Sequence, residues 1–313
     1  MNLLELLDSY PTSDACREHL ERVRWPDGVR CPRCNSDKIA RLRKRKQFSC
    51  KSKDCGYRFS VTTDTIMHAS KISLRKWFAA IYLMSDAKKS VSSLQLAREL
   101  RISNECAWHM CMRIREAMRE AHTDLFRGVV QCDEYYHGGD SRNRKYDRHP
   151  YRQERGRGTS KQPILGAVET STGRIRTAPI SSASSGVLLR TLKQWLKFSG
   201  VELHTDQWRP YGRVGRLCKT HKTVNHSIEY VTAGGVHNNH VESAWSLFNR
   251  SVIGSFHKIS VKHLPRYLGE FDSRFNARQE NGTYFPRILR QCVGRRLPMN
   301  ELVNGEGLGA ESR

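Results

Sequence analysis

The chain has 313 residues, of which 38% are hydrophobic and 9% aromatic, and its 54 lysines and arginines against 31 acids give a net charge of +23. This hydrophobic and aromatic content is typical of a folded chain rather than a disordered one. The length is compatible with two or three domains. A solubilising surface needs only a few net charges, so a surplus of this size favours a polyanionic partner, above all a nucleic acid.

No segment of the sequence is suited to a membrane. The longest apolar run, WFAAIYLM at 77–84, is far shorter than the roughly 20 residues that cross a bilayer. The N-terminal stretch contains acids and lacks the basic start of a signal peptide. We therefore expect a cytoplasmic, nucleoid-associated protein, in which the ten cysteines are metal ligands or free thiols rather than disulfides.

Residues 1–70 contain four paired cysteines. CPRC at 31–34 and CKSKDC at 50–55 form a C-x2-C pair, a spacer of fifteen residues and a C-x4-C pair. Each short turn offers two thiolates, so a structural Zn²⁺ ion in a small three-stranded ribbon is expected, held by Cys31, Cys34, Cys50 and Cys55. The alternative is four unrelated buried thiols. The other six cysteines show no such pairing.

Residues 71–125 have the periodicity of helices. SLRKWFAAIYLMS is followed by the serine-capped SSLQLAREL, a tight break at RIS and a new helix from Asn104. This arrangement is typical of a helix-turn-helix, whose second helix enters a major groove of DNA. Plain helical packing beneath a larger domain is an equally good interpretation.

From residue 126 to about 290 the pattern is that of strands mixed with helices. GVVQCDEYYHGG, QPILGAVETSTGRIRTAPI and GVELHTDQW predict strands. Between them an amphipathic helix is expected, with one apolar face formed by Val187, Leu188, Leu192, Trp195 and Leu196. The order predicts an α/β sheet flanked by helices. The basic stretch 140–161 is expected to be a loop that holds a phosphate backbone, or only a solvated linker. Residues 291–313 are expected to be a C-terminal tail.

Three acids stand at positions suited to metal chemistry. Asp133 and Asp206 each close a predicted strand, at the edge of a sheet where ligands bind, and Glu242 lies in the first turn of a predicted helix. Converging carboxylates repel one another, and a pair of Mg²⁺ or Mn²⁺ ions would remove that penalty. Two such ions can also activate a water for attack on a phosphodiester. The alternative role of Glu242 is helix capping.

The spacing and surroundings of these acids resemble those of a known family. Between Asp133 and Asp206 lie 72 residues, and 35 lie between Asp206 and Glu242. CDEYYHGG, HTDQWRPY, HNNHVESAWSLFNRSVIGSFHKIS, KHLPRYLGEFDSRFNAR and the zinc-ribbon motif RWPDGVRCPRCNS are similar to motifs of bacterial insertion-sequence transposases of family 1595, the ISXO group. The resemblance implies a ribonuclease-H-like mixed sheet whose catalytic residues Asp133, Asp206 and Glu242 bind two Mg²⁺ or Mn²⁺ ions.

The same resemblance implies a DNA transposase. It would bind the terminal inverted repeats of its element, cleave a strand at each end and join the released 3′-OH to target DNA, as a dimer or a larger homo-oligomer. The family usually has a lysine seven residues after the glutamate, where this chain has Asn249, followed by Arg250. Some members are described with asparagine as the third ligand, which makes Asn238 or Asn239 an alternative. The candidate DNA contacts are Arg250, Asn249, Trp208, Lys161 and Arg157.

Other interpretations of the same residues remain open. The chain could be a non-catalytic DNA-binding regulator built on the zinc ribbon and the helix-turn-helix, or a nuclease that cuts without joining. Trp208 could stack on a DNA base or pack in the core. His237 and His240 form a weak candidate for a soft-metal site. His204 is expected to pack in the sheet or to bond a ligand carboxylate.

Overall fold

The computed structural model describes residues 2–120, 124–138, 161–224, 235–279 and 284–305. Its helices are α1 (Leu3–Ser9), α2 (Ser13–Arg24), α3 (Leu74–Asp86), α4 (Ser93–Leu100), α5 (Asn104–Met118), α6 (Ser185–Lys193), α7 (Tyr211–Gly215), α8 (Asn239–Ser251), α9 (Leu264–Asn276), α10 (Tyr284–Gln291) and α11 (Met299–Asn304). Its strands are β1 (Ile39–Leu42), β2 (Gln47–Cys50), β3 (Arg58–Phe59), β4 (Phe126–His137), β5 (Gln162–Glu169), β6 (Arg174–Pro179), β7 (Leu196–Asp206) and β8 (Thr220–Val224).

The chain forms two compact units, and the first is built from two separate stretches. The first unit comprises Met1–Met118 and Gln279–Val303, and the second comprises Arg119–Arg278 and Asn304–Arg313. None of the described helices is long and apolar enough to cross a membrane. All but the last residue of the stretch 140–161, and the end of the chain from residue 306, lie outside the described residues.

The first unit contains the small ribbon expected from the cysteines. Strands β1, β2 and β3 form an antiparallel sheet in that order. Phe48 of β2 stacks on Phe59 of β3 with ring centroids 5.4 Å apart, and Trp25 meets Phe48 edge-on at 5.5 Å. This aromatic cluster buries little apolar surface, so a metal ion held by the cysteines would add stability to the ribbon.

The rest of the first unit is a helical core. Helix α3 contributes Trp77, Phe78 and Ile81 to it, all at most 2% exposed. The apolar face of α10 joins the same core through Phe285, Ile288 and Leu289. A backbone hydrogen bond also joins the end of α10 to the earlier part of the unit, because the Ile66 N–H donates to the Cys292 carbonyl at 3.2 Å. Residues distant in sequence therefore complete one core.

Helices α4 and α5 are separated by a tight turn, as the sequence predicts. The Ser92 hydroxyl accepts the Gln95 N–H at 3.1 Å and begins α4. Arg101 takes the left-handed conformation, φ 47°, which ends α4, and α5 begins at Asn104. Most of α5 is buried, and its exposed residues are those of the first turn, Asn104, Glu105 and Cys106. A groove-binding role for α5 would therefore depend on its N-terminal end.

The second unit is organised around a five-stranded mixed sheet with the order β6-β5-β4-β7-β8. Strand β5 is antiparallel to β4 and β6, whereas β7 runs parallel to β4, and β8 runs parallel to β7. Strand β4 thus lies at the centre. The predicted α/β architecture, a mixed sheet flanked by helices and preceded by a ribbon and a helical segment, is confirmed.

Strand alternation divides the buried side chains of this sheet between two helical layers. Leu165 and Ala167 face a core shared with α6 and α7. Ile164 and Val168 face the opposite core, shared with α8 and α9. Both faces of the central strands are therefore covered, as expected for a sheet with parallel strands.

Helix α6 is shorter than predicted. The expected apolar face included Trp195 and Leu196, but the helix ends at Lys193 and β7 begins at Leu196. Leu196 pairs with Phe126 of β4, and the Phe126 N–H donates to the Trp195 carbonyl at 2.7 Å. Pairing with a strand 70 residues earlier in the chain overrides the local helical periodicity.

Candidate active site

Asp133 lies on the central strand and faces α8. The sequence predicts that the strand ends at Asp133. Instead, β4 continues to His137, because it pairs with β5 as far as Gln162. The register partner of Asp133 is Gly166. Since Cys132 belongs to the core on the α6 side, its neighbour Asp133 points to the opposite face, where α8 packs.

Asp206 lies beside Asp133 on the neighbouring parallel strand. It is the last residue of β7. The β4–β7 register places Gln131 opposite His204, and two further residues along each strand bring Asp133 and Asp206 together. The carboxylate of Asp206 also accepts the Trp208 N–H at 3.1 Å, which fixes the turn after the strand.

Glu242 reaches the same region from helix α8. Trp245, one turn later, lies directly on β5 at Gly166, where an added Cβ would be 2.4 Å from Cζ2 of the indole. Trp245 also stacks on Tyr135 of β4, with ring centroids 5.4 Å apart. Because the residue beneath Trp245 is the register partner of Asp133, this contact brings the first turn of α8 to the two aspartates.

Two buried amides, which we call the amide clamp, fix the start of α8. Gln131 accepts the His240 N–H at 2.9 Å, and its Nε2 lies 3.1 Å from Nδ1 of His237. Asn238, oriented with its amide oxygen toward β7, accepts the Asp206 N–H at 3.1 Å. Both side chains are 1% exposed. The clamp therefore joins the start of α8 to both strands that carry the aspartates.

These positions also bear on the alternatives for Glu242. The N-cap residue of α8 is Asn238, and Glu242 is the fourth residue of the helix. The Glu242 N–H donates to the Asn238 carbonyl at 3.1 Å, so Glu242 does not occupy the capping position. The Asn238 amide is engaged in the clamp, whereas Asn239 is exposed.

The carboxylates interact electrostatically. Burial, the charge of Glu134 and then the charges of Asp206 and Glu242 raise the pKa of Asp133 to about 8. Among the described residues, the three predicted ligands do not form a group as tight as the cysteine cluster, whose ligand atoms all lie within 4.8 Å of one another. The charges of neighbouring carboxylates repel one another, and a hard divalent cation with oxygen ligands would relieve that repulsion. The donor set thus fits Mg²⁺ or Mn²⁺.

The four cysteines form a compact tetrad in the ribbon. Sγ of Cys31 and Cys55 are 3.7 Å apart, and Sγ of Cys34 and Cys50 are 3.6 Å apart. Zn–S bonds of about 2.3 Å in a tetrahedron place sulfurs roughly 3.8 Å apart. Although burial acts in the other direction, hydrogen bonds from the backbone at Cys34 and Arg33 lower the pKa of Cys31 to about 7. The tetrad therefore fits a structural Zn²⁺ ion.

Of the candidate DNA contacts, Asn249 and Arg250 lie on α8 in different surroundings. The Tyr135 hydroxyl donates to Oδ1 of Asn249 at 2.9 Å, so this amide is held against β4. Arg250 is exposed, and its Nη2 donates to the Ser246 hydroxyl at 3.0 Å. Each side chain would therefore have to exchange a hydrogen bond within the protein for one to a phosphate, and of the two only Arg250 is exposed.

The remaining candidate DNA contacts are dispersed. Trp208 packs against the core on the α6 side, and its Nε1 donates to the Ala183 carbonyl at 3.5 Å. Lys161 is partly exposed immediately before β5. Arg157 lies outside the described residues. Among the described candidates, the Trp208 backbone therefore touches an acid, Asp206, while its ring packs in the core, and Asn249 and Arg250 share helix α8 with Glu242.

The histidines lie close to the start of α8. The rings of His237 and His240 are 5.4 Å apart, and Nδ1 of His237 faces Gln131. No group of three or more potential ligands in the described part of the chain includes either residue. Nε2 of His204 lies 2.8 Å from Glu202, so its carboxylate partner is not one of the predicted ligands.

Sequence reasoning missed the residues that position the acids. Gln131 stands two before Asp133 and so shares its face, a signal that strand alternation offers. Glu134, 8% exposed, contributes to the raised pKa of Asp133, and the only signal for it in the sequence is that it follows Asp133 directly. Gly166 gave no local signal, because its role depends on a tryptophan 79 residues later.

The chain is similar in sequence to two families of transposase domains and to a protein of a mobile element. Residues 126–276 match the ISXO2-like transposase domain, and residues 11–58 match a transposase zinc-ribbon domain. An uncharacterized protein in transposable element ISH50 of Halobacterium salinarum is 30% identical over 267 residues, which cover 82% of this chain and 88% of that protein. The crystal structure of the catalytic core domain of BIV integrase matches with 18% identity and a TM-score of 0.31, over 49% of this chain and 85% of that one.

Proposed function

Because the chain belongs to the ISXO2-like family of insertion-sequence transposases, we propose that it binds the ends of its own element, cleaves them and joins them to target DNA. The observation that carries this proposal is the arrangement of three acids on one face of the sheet. Asp133 and Asp206 stand side by side on parallel strands, and Glu242 reaches them from α8. A DNA-binding regulator needs no such arrangement.

The three carboxylates would hold two Mg²⁺ or Mn²⁺ ions, and these would activate the attacking oxygen and stabilise the leaving oxygen. The chain's own part is to orient the ligands. The amide clamp fixes Asp206 and the first turn of α8, and Trp245 on Gly166 sets the distance of the helix from the sheet. The pKa of Asp133 is raised to about 8, and bound cations would favour its charged form as a ligand.

The reaction would proceed in two in-line displacements at this site. In the first, water attacks the phosphodiester at the element end, and the bond to the 3′ oxygen breaks, which leaves a 3′-OH. In the second, that 3′-OH attacks a phosphodiester of target DNA, and one strand is joined as another 3′-OH leaves. Arg250, exposed on α8 two turns after Glu242, would contact the DNA end. Joining two ends requires at least two subunits.

The test uses purified full-length protein, Mg²⁺ and a labelled duplex that carries the element end. We expect 3′ nicking and a joined product with the wild type. Glu242→Gln removes one ligand charge and should reduce both products at least about a hundredfold, in the range seen for loss of one catalytic group.

Glu202→Gln is the matched control, because Glu202 is an acid of β7 paired with His204 and Lys222 rather than with the predicted ligands. It should retain nearly full activity. Tight binding of the end by the wild type with neither product would favour a regulator. Nicking without joining would favour a nuclease, and full activity of Glu242→Gln would remove Glu242 from the site.

A further inference from the structure

The tip of the ribbon hairpin concentrates positive charge. Of the six residues from Arg41 to Lys46, five are lysine or arginine, and all five are exposed. Arg41 is paired with Glu21 at 2.8 Å. Among the described residues, no ion pair is seen for Arg43, Lys44 or Arg45. The backbone of these three residues forms a short 3-10 turn between β1 and β2.

A basic pocket of about 410 Å³ lies next to this tip, within the first unit. Its cations are Arg17 from α2 and Arg45 and Lys46 from the hairpin. Hydroxyl groups complete the polar lining, from Ser13, Ser60, Thr62, Ser70 and Ser73. None of the described residues that line it is acidic. Guanidinium, ammonium and hydroxyl groups are the donors with which proteins bind phosphate.

An adjoining cavity is lined by the acids Asp14, Glu18 and Glu21 together with basic residues that include Arg17 and Lys46, and one of these acids contacts the pocket cations. Asp14 accepts from Lys46 Nζ at 2.6 Å and also from Nη1 of Arg17, so it bridges two of the three pocket cations. It is 55% exposed on the first turn of α2. The hydrogen bond from Lys46, followed by that from Arg17, lowers the pKa of Asp14. An exposed pair of this kind is weak and can be displaced by a competing anion.

We propose that the hairpin tip, Arg43–Arg45, together with this pocket binds the phosphate backbone of duplex DNA, and that Asp14 occupies a phosphate position in the free protein. The inference rests on the proposed function, since it assigns a DNA surface to a transposase. Charge complementarity and the donor types support a backbone contact. The long, flexible side chains of the tip suit a repeating charge rather than a particular base.

The decisive experiment measures duplex binding as a function of salt by fluorescence anisotropy, with the zinc-loaded full chain and no added Mg²⁺. One duplex carries the element end, and a second of equal length has an unrelated sequence. Lys44→Ala/Arg45→Ala should weaken binding to both duplexes about tenfold near 0.15 M salt and make the log–log salt slope shallower by roughly one to two.

Lys51→Ala/Lys53→Ala is the matched control, because it removes the same charge from two exposed lysines of the same ribbon outside the pocket. It should change affinity less than threefold. Zinc content and thermal unfolding, measured for every variant, show whether the ribbon remains folded. Equal weakening by both double variants would mean that only net charge matters, and it would overturn the assignment.

Asp14→Asn provides the opposite test. Because it releases Arg17 and Lys46, we expect both duplexes to bind about three- to tenfold more tightly, whereas a merely structural Asp14 would leave affinity unchanged or lower it. Weakening of the Lys44→Ala/Arg45→Ala variant for the element end alone would indicate base contacts and refute a backbone surface. If the wild type binds neither duplex, the proposed function fails as well. If it binds and Lys44→Ala/Arg45→Ala has no effect, only this inference fails.

Discussion

The contact between Gly166 and Trp245 allows a sharp test of how the acids are brought together. In Gly166→Ala the new methyl carbon would lie 2.4 Å from Cζ2 and 2.9 Å from Cη2 of the indole. Carbon atoms in contact stand about 3.5–4.0 Å apart, so α8 must move away from β5 by roughly 1 Å or the indole must leave its position. Overpacking of this kind costs about 1–3 kcal/mol of unfolding free energy.

The larger effect should fall on catalysis. Glu242 lies one turn before Trp245, so a movement of the helix by roughly 1 Å displaces its carboxylate from the aspartates by a similar distance, and such a misplacement can lower the rate about a hundredfold. We would measure end cleavage together with thermal unfolding. DNA binding by the first unit should be retained, because the substitution lies in the second unit.

Gly200→Ala is the matched control, since the nearest atom to its added Cβ, the Lys197 carbonyl oxygen, is at an ordinary 3.6 Å. It should resemble the wild type in both assays. If Gly166→Ala cleaves DNA at the wild-type rate and unfolds at the same temperature as Gly200→Ala, the packing of α8 on this glycine does not set the position of Glu242.

Three further predictions address the other parts of the molecule. Cys50→Ser should abolish stoichiometric zinc and unfold the ribbon, measured by metal analysis and proteolysis, whereas Cys106→Ser, at an exposed thiol of α5, should retain the metal. Asn249→Lys introduces the lysine that the family resemblance implies at this position and should tighten binding of element ends roughly tenfold through one added phosphate contact, measured by anisotropy; unchanged affinity would show that position 249 does not reach DNA. Without added divalent ions, a folded-state pKa near 8 for Asp133 means that the folded protein retains a proton that the unfolded chain loses near pH 4, so thermal stability should fall as pH rises from about 4 to 8. Asp133→Asn should lack that part of the slope.

Local patterns predicted those parts of the protein whose structure is decided locally. The cysteine pairs act within two short turns, and the break before Asn104 depends on a single left-handed residue. The end of α6 was not predictable in this way, since Trp195 and Leu196 continue a helical period while their partner, Phe126, lies far away in the chain. A periodic pattern records which side of an element is apolar, but not which distant strand will pair with it.

The same distinction explains what could be predicted of the candidate site. Asp133, Asp206 and Glu242 can be proposed as ligands from the sequence because acids after apolar stretches stand out, and a family resemblance connects them. Gln131 and Asn238 have no distinguishing pattern in the sequence, and their role emerges only when β4, β7 and α8 pack together. Their importance comes from burial with backbone groups that need partners, which is a property of the assembled sheet.

The split arrangement of the first unit has a consequence for how the protein is made. Helix α10 supplies Phe285, Ile288 and Leu289 to the same core as helix α3, which is synthesised about 200 residues earlier. During translation, this core therefore stays incomplete until the ribosome has also synthesised the second unit and α10. Products that stop before α10, whether by frameshift, early termination or cleavage, leave the apolar surface of α3 uncovered and become targets for cellular quality control. The amount of folded protein in the cell would thus follow the number of finished chains, not the number begun.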